Sequence, residues 1–182
     1  MFATAAHFPT ILNKNCLLMS THAATPTASL ILKIVLSGLI GEILFEAYAW
    51  LISPALFGFA LQPSNLVIAL AAKLTAIELS HTAAFGIHFL IGSVGFGFFV
   101  FFTRKLLGLG PWLTGVVAGV ALWFVAQGML APFIGRSFMM DFGPYTQSSF
   151  IGHVGMTLII ACLLELLLAS TQKSPSAPVV SG

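Results

Sequence analysis

The chain has 182 residues, of which 7% are charged and 58% hydrophobic, and its mean hydropathy is +1.04. A soluble domain of this length needs more charge, whereas several membrane spans of about 20 apolar residues each need this composition. The formal charge of +2 is spread over scattered residues with no basic stripe, which excludes nucleic-acid binding.

The expected fold class is an all-α integral membrane protein with four transmembrane helices. Residues 1–29 form an N-terminal tail. It lacks a basic segment followed by a long apolar core and is a poor signal peptide. Met19 is an alternative start, or the tail is a short surface segment. Cys16 in this tail and Cys162 in an apolar run form no CxxC unit and no zinc spacing, so both are read as unpaired thiols.

Residues 30–170 read as a single membrane domain. The first span covers 30–52. Lys33 can snorkel to the headgroups, Tyr48 and Trp50 suit the opposite interface, and Pro54 is expected to stop the helix. Residues 65–103 are too long for one simple crossing. We expect an interfacial or partly re-entrant helix over 65–81, with Lys73 and Glu78 near the headgroups, then a crossing over 82–103 that ends at Arg104-Lys105. A single long tilted helix is the rival reading.

The third span covers 111–131, with Pro111 in its first turn and Trp112 at the interface. The connection 132–149 is the longest polar one. It carries Arg136 and Asp141, expected as a solvated pair, and Met139-Met140, which suit a soft metal or cover a helix end or partner surface. The fourth span covers 150–170, and Glu165 near its end is expected at the interface or against a partner subunit. Residues 171–182 are Pro- and Ser-rich and read as a disordered tail. With the N-terminus inside, Lys14, Lys33, Arg104, Lys105 and Lys173 are cytoplasmic and Lys73 and Arg136 are outside, so positive-inside favours N-in/C-in.

Four polar residues stand inside these spans: Glu42, Glu46, His88 and His153. An ionisable group at mid-bilayer costs several kcal/mol unless it is paired, faced inward or neutralised. Glu42 falls near mid-bilayer, and Glu46, one turn on, lies about 6 Å nearer the outer surface on the same face. His88 and His153 fall in the outer third of their spans, so Glu46, His88 and His153 can meet at one depth. Gly92 and Gly95 continue the His81–His88 face, Gly115 and Gly119 form a G-x-x-x-G pair, and Gly152 and Gly155 flank His153. All six are candidate helix-packing positions.

Three chemistries suit these residues. The plainest is a structural hydrogen-bonded network with no cofactor. His88 with His153, or His81 with His153, could instead ligate a haem b iron, or Glu46, His88 and His153 could hold zinc or iron. A Glu–His chain could also relay protons, with a quinone head as a possible neighbour. No nucleotide fingerprint, G-x-S-x-G, H-E-x-x-H or C-x-x-C-H is present.

The stretch from His88 to Leu166 resembles the YagU-like four-helix proteins of the bacterial inner membrane. The resemblance is carried by His88-Phe89-Leu90-Ile91-Gly92, Gly115 to Trp123, Ala131-Pro132-Phe133 and Gly152-His153-Val154-Gly155. It implies a four-helix fold with His88 and His153 paired, and no particular activity. Small size and short loops lead us to expect an accessory subunit of a larger, energy-transducing or respiratory membrane complex, in contact with larger subunits and lipid and without catalysis of its own. The alternatives are a haem or metal redox protein and a small proton-coupled transporter.

Overall fold

A computed structural model of the chain describes residues 26–172. The readings attached to Lys14, Cys16, Met19 and Lys173 lie outside the described residues. The chain is all helical across its spans: α1 Thr27–Phe57, α2 Ser64–Thr75, α3 His81–Leu107, α4 Pro111–Phe133 and α5 Pro144–Ser170. Four of these are long and apolar enough to cross a membrane, and the short α2 precedes the second crossing.

α2 is a separate helix, which sets aside the single tilted helix. It stops where Ala76 turns left-handed (φ +56°), and α3 starts where the Ser80 hydroxyl accepts the Ala83 N–H at 3.2 Å.

Pro54 does not end the first span, and Pro132 lies inside the third. The same device accommodates both. A π turn at Tyr48–Ile52 hands the Ser53 N–H to the Tyr48 carbonyl, and another at Phe124–Leu130 hands the Ala131 N–H to the Ala126 carbonyl. Each widened turn precedes a proline that lacks its own N–H, so the ladder resumes beyond it. α1 then ends where Gly58 turns left-handed at φ +81°. The fourth span starts at Pro144, earlier than expected, so His153 lies well inside it. The shortened connection carries a left-handed turn, Met139 to Phe142, with φ between +47° and +56°. Thr146 donates to the Met139 carbonyl there at 2.6 Å.

α5 is the spine of the bundle. α4 packs along it on one side and α1 on the other, while α1 also packs on a third π turn, Ile91–Phe96 of α3. Side chains of Phe45, Ala49, Val100, Ala118, Met156 and Ile160 form the core. Most of each span faces outward with Leu, Ile and Phe, as lipid contact requires.

Glycines permit the close approaches. Gly115 lies against Leu158, and Gly119 against Val154 and Thr157. Thr157 donates across this seam to the Gly115 carbonyl at 2.8 Å. Gly152 lies against Phe45, and Gly92 against the Glu42 carboxylate. Gly95 and Gly155 are corrections. A methyl group at Gly95 would meet only Ile91 of its own helix, at 3.8 Å, and one at Gly155 would meet nothing within 4 Å. Gly38, Gly41 and Gly97 fill packing roles instead, the first against the Ser93 carbonyl, the second against Ile160 and the third against Ile34. Glu165 pairs with Arg104, at the end of α3, within the chain. Asp141 accepts from Ser137 at 2.8 Å, so its partner is not Arg136.

Candidate intramembrane polar site

Glu42 is the middle residue of α1. It reaches the face of α3 that carries His88 and Gly92. The missing side chain at Gly92 makes this possible, because a Cβ there would overlap the Glu42 carboxylate. Glu46 follows one turn later on the same side.

His88 comes to both acids. Its Nδ1 lies 3.2 Å from Glu42 Oε1 and 3.7 Å from Glu46 Oε1. The Glu42 side chain is 0% exposed and that of His88 13%, and that of Glu46 is 12% exposed. Glu46 is oriented from outside by Trp50, whose indole N–H donates to Oε2 at 2.9 Å.

Both Glu42 oxygens, Glu46 Oε1 and His88 Nδ1 are buried, and among the described residues their close polar neighbours are one another. One ligand atom from each of the three residues can be chosen so that all lie within 4.8 Å of one another. Each of the three side chains thus brings an atom of a metal-ligating type to one place.

His153 does not join this cluster. Its Nδ1 lies 2.8 Å from the Ser149 carbonyl oxygen of its own helix. Phe45 links it to the cluster indirectly, with ring centroids 5.9 Å from His88 and 6.0 Å from His153. The metal set expected as Glu46, His88 and His153 is replaced by Glu42, Glu46 and His88, because α1 turns both acids to α3 while α5 presents His153 one ring away.

His88 and His153 do share a cavity of about 170 Å³, walled by Phe45, Leu61, Leu70, Ile91, Phe96 and Leu122 and reached also by Gln127 and Arg136. An engineered cavity of about 150 Å³ takes a benzene ring, so this space suits one six-membered ring and not a porphyrin between the two histidines. His81 is outside this space. It is exposed at the start of α3 and faces Trp50, Gln62 and Ser64.

Sequence reasoning overlooked Gln127, Ser149 and the part Gly92 plays. Gln127 was visible as the one amide inside the third span. Gly92 was visible only as a packing position, because which residue it admits depends on how α1 crosses α3.

Searches against protein-family models, curated proteins and solved structures each returned no match. The four-helix membrane architecture therefore stands on the chain's own helices, and no family model ties it to the YagU-like proteins.

Proposed function

We propose that this protein holds a divalent transition-metal ion inside the bilayer, on Glu42, Glu46 and His88. The observation that carries the reading is the group of two carboxylates and an imidazole whose buried atoms have one another as close polar neighbours. With both carboxylates ionised and the imidazole neutral, the cluster would carry a charge of −2, which a low-dielectric interior does not tolerate. A divalent cation cancels it. Bonds of about 2.0–2.2 Å place tetrahedral ligand atoms about 3.3–3.6 Å apart. The two separations from His88, 3.2 Å and 3.7 Å, are close to this, and the separation between the two acids lies within 4.8 Å. Mixed carboxylate and imidazole ligands suit zinc, iron or manganese.

The test is metal analysis of protein purified in mild detergent without chelator, followed by titration with Zn²⁺, Mn²⁺ and Fe²⁺. About one equivalent is expected in the wild type, with affinity at least about tenfold lower in Glu42→Gln and His88→Ala. Equal metal uptake by wild type and Glu42→Gln would overturn the reading. Protons would then neutralise the acids, and the mid-span position of Glu42 would favour a small proton-coupled transporter.

The wider setting rests on size and charge distribution. In this reading the chain sits in a bacterial inner membrane, N-in/C-in, as a relative of the YagU-like proteins. There it serves a larger, energy-transducing assembly through its metal. Stoichiometric co-purification with larger membrane polypeptides is the expected sign of such a setting.

A further inference from the structure

The cavity beside the cluster has a chemistry of its own that does not depend on the metal. Its walls are apolar and its volume, about 170 Å³, is that of a single ring. The polar atoms within reach have a definite polarity. His153 Nδ1 lies 2.8 Å from the Ser149 carbonyl oxygen, which can only accept. In the neutral ring Nδ1 therefore carries the proton and Nε2 keeps its lone pair. Gln127 Nε2 donates to Ser149 Oγ at 3.2 Å. Its carbonyl oxygen is buried and has no partner among the described residues. Gln127 is 7% exposed and His153 8%. Both side chains line the cavity, but the Gln127 oxygen is closed off from it, so His153 Nε2 is the acceptor that a molecule there can meet.

Buried acceptors call for a donor. We propose that this cavity binds a six-membered ring bearing hydroxyl groups, a phenol or hydroquinone. One hydroxyl donates to His153 Nε2. Arg136, which also lines the cavity and can only donate, takes the oxygen of a second hydroxyl. Phe45, Phe96 and Tyr145 supply aromatic wall. The ring enters past α2. This helix lines the cavity with Leu66, Val67 and Leu70 yet buries none of its own residues, so it is the wall most easily moved.

The experiment uses the full chain in detergent micelles and two fluorinated rings of similar size, followed by fluorine NMR. Para-fluorophenol can donate a hydrogen bond, and para-fluorobenzonitrile can only accept. The phenol is expected to bind at least about tenfold more tightly, the worth of one good hydrogen bond. His153→Phe should shrink that preference, and Ala126→Phe should fill the cavity and abolish binding of both rings. Thermal melting identifies any variant that fails to fold, and the comparison of the two rings on the wild type keeps the test open if the variants do. Equal or tighter binding of the nitrile, or no saturable binding of either ring, overturns the proposal. Competition then identifies the source. If an alkyl-tailed hydroquinone displaces the phenol at lower concentration than plain hydroquinone does, the ligand is a membrane-borne ring. Equal potency makes it a free phenol.

Discussion

Glu42 concentrates the energetics of the site. It is fully buried, carries a carboxyl group and has His88 Nδ1, 3.2 Å away, as its close polar neighbour together with Glu46. Such a group destabilises a membrane fold unless a cation or proton compensates it. The sign of the effect is testable. In chelator, Glu42→Gln should melt no lower than the wild type, because the substitution removes one uncompensated charge. In saturating metal the wild type should gain stability and the variant should not, since a ligand stabilises only the state that binds it. Melting curves in both buffers check this. Gly92→Ala places a methyl group on the Glu42 carboxylate. It should cost about 1–3 kcal/mol and weaken metal binding, whereas Gly95→Ala, whose methyl group meets Ile91 of its own helix at an ordinary 3.8 Å, should do neither.

At the scale of the helix, three π turns border the site. The turn at Tyr48–Ile52 comes just after Glu46, the one at Ile91–Phe96 carries Gly92, and the one at Phe124–Leu130 carries Gln127. A π turn inserts a residue and rotates the remainder of its helix, so each re-aims side chains beside a polar group. Two of them also carry a proline through a membrane helix, which is why Pro54 misled as a stop signal. The seam between α4 and α5 depends on absent side chains. Gly119→Leu should drive the larger residue into the Val154 backbone and lower stability by about 1–3 kcal/mol. Gly155→Ala, with nothing near it, should change stability by less than about 0.5 kcal/mol. Thermal melts of the two variants decide it.

For the whole molecule, four crossings put Lys33, Arg104 and Lys105 at one end of the bundle and Lys73 and Arg136 at the other. The Arg104–Glu165 pair closes the first of these ends between α3 and α5. Cysteines introduced at Glu78 and Ser137, both exposed, should react with an impermeant thiol reagent added to intact cells, and one at Leu107 should react only after lysis. Labelling of Leu107→Cys in intact cells would reverse the orientation.

The sequence by itself determined the membrane class, the number of crossings, the separate helix before the second, and the ionisable residues inside the spans. Length and hydropathy along the chain are local properties, and a charged residue inside an apolar run is conspicuous wherever the run packs. The i, i+4 spacing also placed Glu42 and Glu46 on one face without any tertiary information. Which histidine those acids meet was a different kind of question. His88 and His153 look alike in sequence, each in a span and each near a glycine. Only the crossing of α1 over α3, made possible by Gly38, Gly92 and Gly97, selects His88. His153 is held instead by the Ser149 carbonyl of its own helix. Helix rotation and crossing angle arise from packing between distant segments, so the grouping of Glu42, Glu46 and His88 and the lining of the cavity were decided by tertiary structure alone.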